Sequence, residues 1–189
     1  MTKIVGIVGS PRRGGNSEFL VNEALRAAAE EGAATELISL AGKEIKPCDA
    51  CRRCRDKNVD CHIQDDLPPI FKKMLEADGI ILATPVYIGS ATAQTKALID
   101  RVAYWAGGRG RPFENKVGAP IVVARRAGQN FTFAQLIFFF FITGMIIPGT
   151  TYWSVAIGRE KGEVAKDEEG INTVRNLGKK MAWLTKKLK

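Results

Sequence analysis

The chain has 189 residues, 46% hydrophobic and 25% charged, with 28 Lys+Arg against 20 Asp+Glu for a formal net charge of +8. That length suits one domain, 1–189, with a full core, and the composition excludes a disordered or fibrous chain. The positive residues are scattered and no groove-reading motif is present, so nucleic acid is not the expected partner; internal anionic ligands or an acidic protein would absorb the charge.

Lys3 to Gly9 reads as a short buried strand, ended by a Gly-Ser-Pro turn. It lacks the long apolar region and cleavage site of a signal peptide, so a cytoplasmic location is expected. A helix follows to about Glu31, with Leu20, Val21, Ala24, Leu25 and Ala28 on its apolar face, Asn16 or Ser17 as N-cap and Gly32 as its end. Ala33 to Leu40 is a second strand, and a cysteine loop runs from Ala41 to Gln64. Asp65 and Asp66 open a helix to about Ala77, and Gly79 to Thr84 has the unbroken apolar run of a buried parallel strand. After the loop Pro85–Gly89 a helix spans about Ala91 to Trp105, and Val117 to Ala124 is a fourth strand, followed by the loop Arg125–Asn130. The apolar stretch Phe131–Ile147 is broken by Gln135 and Gly144 and closed by Pro148. It reads as a helix to Thr143 and the start of a fifth strand at Met145–Ile147, resumed at Tyr152–Ile157, rather than as a membrane span. Four successive phenylalanines, Phe138 to Phe141, predict burial on every side and hence a contact between subunits. Arg159 to Asp167 is a polar connector before a last helix, about Glu168 to Leu188.

Alternating strands and helices with unalternating apolar strands indicate a doubly wound α/β fold with a parallel sheet. Ligands in such sheets bind at the carboxyl ends of the strands, which places loops 9–17, 84–89 and 125–130 on one edge. The first of these, Gly9-Ser-Pro-Arg-Arg-Gly-Gly-Asn-Ser17, joins a strand to a helix start, where amides and hydroxyls suit a phosphate. Ser10 and Ser17 offer hydroxyls, Asn16 an amide and Arg12 a charge. It is neither a Walker loop nor the dinucleotide fingerprint, so a mononucleotide is expected.

All four cysteines, Cys48, Cys51, Cys54 and Cys61, fall in the spacing C-x2-C-x2-C-x6-C. Four thiolates so close together can hold an iron–sulfur cluster. Zinc usually takes two C-x2-C knuckles set further apart, and disulfides need an oxidising compartment; zinc and free, redox-switching thiols remain open alternatives. The nearby Arg52, Arg53 and Arg55 would offset the charge of a thiolate-ligated group or form a solvated loop. His62, the single histidine, would tune such a group by a hydrogen bond or stand in solvent.

The phosphate loop, together with Pro85-Val-Tyr-Ile-Gly89 and Lys96-Ala-Leu-Ile-Asp-Arg101, resembles the flavodoxin-like NADPH-dependent FMN reductase superfamily. The block Cys48–Cys61 followed by Asp65-Asp66 narrows the resemblance to the iron–sulfur flavoproteins. The resemblance implies a flavodoxin-like five-stranded sheet with a cluster-binding insertion, about 41–64, after the second strand. It implies FMN, its phosphate held by Ser10, Arg12, Asn16 and Ser17 and its ring lined, mainly through backbone groups, by Pro85, Val86, Tyr87, Ile88 and Gly89. It implies a 4Fe–4S cluster on Cys48, Cys51, Cys54 and Cys61. The resemblance implies Arg125 and Gly128 only as weak flavin contacts, because this loop departs from the glycine-rich pattern of relatives; a cation there would favour an anionic reduced ring, and the alternative is that Arg125 and Arg126 point to solvent. The resemblance also implies a ferredoxin-like electron donor, a small acceptor such as oxygen, peroxide or quinone, and a homodimer or homotetramer. The competing readings are an NAD(P)H-dependent FMN or quinone reductase without a cluster, and a non-enzymatic electron carrier or redox sensor.

Overall fold

The computed structural model describes residues 1–57 and 59–189; Asn58, within the cysteine loop, lies outside the described residues. Five parallel strands form one sheet: β1 (Lys3–Val8), β2 (Ala34–Ser39), β3 (Gly79–Pro85), β4 (Val117–Ala124) and β5 (Val155–Ile157), in the order β2-β1-β3-β4-β5. The helices are α1 (Asn16–Glu30), a short α2 (Arg53–Asp56), α3 (Leu67–Glu76), α4 (Ala93–Gly107), α5 (Gln129–Ile142) and α6 (Glu168–Lys187). This is the flavodoxin-like doubly wound architecture, with the cysteine loop after β2.

Two cores follow from the alternation of side chains along the strands. Ile4, Val8, Ile81, Ala83 and Ile121 face α1 and α6, while Val5, Ile7, Ile80, Leu82 and Val122 face α3, α4 and α5. Helix α1 stops where Gly32, at φ +84°, lets its own amide and that of Ala33 return to the carbonyls of Ala29 and Ala28. Its start differs from expectation: Gly15 is the N-cap, and no side chain caps the first turn.

One expectation for the sheet is corrected. The fifth strand is only Val155–Ile157, since Ile146 makes a single isolated bridge to Val117 before Pro148, which has no amide to donate, ends the pairing. Helix α5 buries Thr132, Leu136, Phe139 and Phe140 but leaves Phe131, Phe138, Phe141 and Ile142 exposed. Successive helical residues point about 100° apart, so the sheet reaches only part of a four-phenylalanine run. Among the described residues no helix is long and apolar enough to cross a membrane.

The order reverses at β1, whose neighbours β2 and β3 lead to opposite sides of the sheet. There a buried hydroxyl network locks the phosphate loop to the start of α4. Thr92, the N-cap of α4, donates from its hydroxyl to the Gly9 carbonyl at 2.6 Å and accepts the Thr95 amide at 3.2 Å. Gly9 has to be glycine, because a Cβ would stand 1.8 Å from Thr95 Oγ1.

Candidate functional site

The cleft at the carboxyl ends of β1, β3 and β4 is lined by Ser10, Arg12, Gly15, Asn16, Ser17, Pro85, Val86, Tyr87, Val123, Arg125, Gly158, Arg159 and Lys161. One end holds hydroxyls, cations and the uncapped amides of α1; the other is apolar. An uncapped helix N-terminus carries free donors and a partial positive charge, which suits a phosphate. A Cβ on Gly15 would crowd that cradle, 3.1 Å from the Arg12 carbonyl and 3.6 Å from Ser10 Oγ. Thus the residues fit a phosphate carried on a flat apolar ring.

Eight of the eleven residues expected for the flavin line this cleft. Ile88, Gly89 and Gly128 do not. The chain reverses between Tyr87 and Ser90, with paired backbone hydrogen bonds of 2.8 and 3.0 Å, and Ile88 is turned wholly into solvent. Gly128 instead seats the turn from behind: a Cβ on it would meet Val86 Cγ1 at 2.8 Å and Gly89 Cα at 3.2 Å. Gln135 completes the support, its Oε1 accepting from the Ala91 amide at 3.0 Å and the Ser90 hydroxyl at 3.1 Å. In the sequence Gln135 is only a break in an apolar run; a lone polar residue on the sheet side of such a helix was the available signal.

Asn16 lines the cleft, but its carboxamide is engaged elsewhere. It donates to the Glu160 carbonyl at 2.9 Å and accepts from the Gly162 amide at 2.8 Å. It therefore buckles the 158–162 loop onto the cleft, and that loop delivers Arg159 and Lys161, which sequence reading assigned to a connector. Nothing local marks them, because their partner lies 144 residues away.

The four cysteines converge as expected. All line one small cavity with Asp49, Arg52, His62, Ile63, Arg101 and Tyr104. None is in a disulfide; Cys48 and Cys51 are exposed, Cys54 and Cys61 half-buried. The turns that face them inward use left-handed backbone at Ala50 (φ 58°) and Arg52 (φ 62°), one within each two-residue gap. A non-glycine residue there costs about 1 kcal/mol or more, so surrounding contacts hold both turns in place. The Ala50 amide lies 3.4 Å from Cys48 Sγ. Burial pushes the Cys54 thiol up, and thiolates at Cys61, Cys51 and Cys48 push it the same way. Four sulfurs lining one cavity, with an amide 3.4 Å from one of them, fit a tetrathiolate group.

The loop is anchored to α4. Gly108, just past that helix, admits no side chain, because a Cβ would stand 2.5 Å from the Cys54 carbonyl. Arg55 lies over the Tyr104 ring at 5.2 Å, and Arg52 pairs with Asp56 at 3.1 Å. His62 meets Asp49 at 2.7 Å rather than a cysteine. Asp49 is held below the usual carboxylate range, chiefly by the Cys51 amide.

Arg101 was missed as a site residue. It is 2% exposed and reaches three partners: the Asp65 carboxylate, the Lys46 carbonyl at 3.1 Å and Cys61 Sγ at 3.3 Å. Asp65 also accepts the Lys46 and Leu67 amides, so it staples the loop rather than opening α3, which begins at Leu67. Burial pushes the Asp65 carboxyl up, but Arg101 and these amides outweigh it and hold it below its ordinary value.

The family described as NADPH-dependent FMN reductase matches residues 2–160. An iron–sulfur flavoprotein of Methanocaldococcus jannaschii is 45% identical, covering 99% of both chains. One of Methanosarcina thermophila is 40% identical over 95% of this chain and 93% of its own. A flavodoxin-like WrbA-like protein from Agrobacterium tumefaciens shares the fold, with a TM-score of 0.71 at 16% identity over 100% of each chain. Similarity at this level across the whole chain, carrying both the phosphate loop and the cysteine block, means that the chain belongs to the iron–sulfur flavoproteins of the NADPH-dependent FMN reductase family.

Proposed function

We propose that this FMN-dependent oxidoreductase passes electrons from a one-electron, ferredoxin-like donor through a 4Fe–4S cluster and FMN to a small acceptor such as oxygen, peroxide or quinone. The observation that carries the reading is the convergence of Cys48, Cys51, Cys54 and Cys61 on one cavity against α4, whose first turn is tied to the phosphate loop. A cluster exchanges single electrons and FMN one or two, which is the chemistry such a pair supplies when bound.

The protein's own residues bind and orient. Ser10, Ser17 and Arg12, with Arg159 and Lys161, would neutralise the FMN phosphate at the start of α1. Pro85, Val86 and Tyr87 would flank the ring, with Arg125 beside it. Ile88, Gly89 and Gly128 would shape the turn behind it. Thr92 and Arg101 lie nine positions apart on α4, roughly 13 Å along the helix at 1.5 Å per residue, so one rigid element spaces the two sites. The basic rim of Arg52, Arg53, Arg55 and Arg109 suits an acidic donor. The exposed phenylalanines of α5 suit a second copy in a dimer or tetramer.

The test is anaerobic purification with counts of iron, sulfide and FMN, followed by reduction with a one-electron donor and with NAD(P)H. The reading expects iron and sulfide alongside FMN, and faster reduction by the one-electron donor. Protein with FMN but no iron or sulfide, reduced quickly by NAD(P)H, would overturn it.

A separate prediction concerns Asn16. Asn16→Ala removes both hydrogen bonds that seat the 158–162 loop. We expect FMN to bind roughly five- to tenfold more weakly, about 1–1.4 kcal/mol, the scale of one net hydrogen bond. Flavin fluorescence on titrating the apoprotein reads this, and an unchanged Kd would show that the loop does not serve the phosphate.

A further inference from the structure

We infer that Arg101 is a positioning residue for a cluster on the four cysteines, fixing the Cys61 side of the cavity and making the cluster easier to reduce. The inference rests on the cluster reading above. Arginine is almost never fully buried unless paired, and Asp65 supplies that pairing. The pair by itself does not explain the site, because a buried ion pair is seldom more stable than apolar residues of the same size. What the guanidinium adds is a second direction. Nη1 holds Asp65 Oδ2 and the Lys46 carbonyl, while Nη2 donates both to Asp65 Oδ1 at 3.2 Å and to Cys61 Sγ at 3.3 Å. Among the described residues Nε is buried without a partner, so the fork is held for Asp65 and Cys61 at some cost to its own solvation.

The rest of the surroundings agree. Tyr104, one turn further along α4, lines the same cavity, and Ile63 adds an apolar side chain to it. His62 is engaged with Asp49, so among the described residues the one buried cation on a cysteine sulfur is Arg101. Reduction adds one negative charge to a thiolate-ligated cluster. A hydrogen bond to a ligating sulfur, and a desolvated positive charge behind it, both favour that added charge. Asp65 sets the plane of the guanidinium, as a carboxylate does for a metal-binding histidine. Lysine could reach Asp65 or Cys61 but has no planar fork to serve both.

The experiment compares three variants of the full chain: Asp65→Asn, Asp65→Asn/Arg101→Gln and Arg101→Lys. Each is purified anaerobically, counted for iron, sulfide and FMN, and titrated by spectroscopically monitored reduction. The Asp65→Asn background avoids stranding a buried carboxylate when the arginine is removed. The expected result is a cluster midpoint in the double variant at least tenfold harder to reduce than in Asp65→Asn, about 59 mV for one electron. The FMN midpoints stay in place, and Arg101→Lys falls between. Loss of iron and sulfide with FMN and fold retained would support the positioning role equally. Equal cluster midpoints in the single and double variants would overturn the inference. So would loss of fold and FMN together in both Arg101 variants, which would make the residue purely structural. An unaltered protein without iron or sulfide would sink the cluster reading itself, before any variant is compared.

Discussion

Cys54→Ala is expected to abolish iron and sulfide binding while FMN remains stoichiometric. Cys54 lies in α2, and its carbonyl rests against Gly108. Alanine keeps that helical turn and removes only the sulfur. Losing one of four thiolates leaves a cluster without a cage, so the brown absorbance disappears rather than fading. The flavin spectrum stays, because the cysteine cavity and the phosphate cleft share no lining residue. Thermal stability should fall to that of the metal-free unaltered protein, since a ligand that binds only the folded state stabilises by its binding free energy. Iron and sulfide assays beside a flavin extraction settle the point. Retained iron would remove Cys54 from the ligand set, and simultaneous loss of FMN would make the cysteine loop part of the flavin site.

Asp65→Ala is expected to be the most destabilising single substitution near the site. Asp65 and Arg101 side chains are 0% and 1% exposed. Removing the carboxylate leaves a guanidinium buried without its counter-charge, and such breakage costs about 3–5 kcal/mol. Two amide hydrogen bonds, from Lys46 and Leu67, are lost as well. For a chain of this size the loss lowers Tm by about 10 °C. The pH dependence has a definite sign. Burial raises the Asp65 carboxyl, but Arg101 and the amides outweigh it, so the folded value lies below the unfolded one. Its stabilisation is therefore complete above about pH 5 and disappears as pH falls through the lowered folded value. Urea unfolding at several pH values should show part of the acid limb flattened in Asp65→Ala. A difference below about 1 kcal/mol at neutral pH would mean that water or another group replaces the carboxylate.

The basic, exposed face around the cysteines and the apolar face of α5 are different kinds of surface. The first is charged, with Arg52 and Arg55 tied to Asp56 and Tyr104. The second is aromatic, and Phe133 and Ile137 of the same helix share a cleft with exposed Tyr152 and Trp153. Under the proposed function, the former would be the side for a redox partner that must leave after each electron, and the latter the side for a permanent subunit contact.

Much of this was legible in the residues alone, because it is local. The cysteine spacing, the glycines and serines of the phosphate loop, and the apolar runs of β1, β3 and β4 each report on a stretch shorter than about 15 residues. Turn geometry and side-chain periodicity act over that range. The five-stranded parallel sheet and the cysteine loop after its second strand accordingly matched what was read.

The tertiary structure alone decided the rest. Asn16 lines the cleft, but only the fold shows that its carboxamide also buckles a loop 144 residues on. The Ile88 side chain faces solvent where a left-handed φ of 49° turns the chain. Arg101 belongs to a helix whose pattern explains only that it lies on the inner face; its partners, Asp65 and Cys61, are 36 and 40 residues away. Periodicity says which face of an element is buried, but not which distant carboxylate or sulfur meets it. That depends on how the strands are ordered and how each loop closes over the sheet edge, and those are properties of the assembled chain.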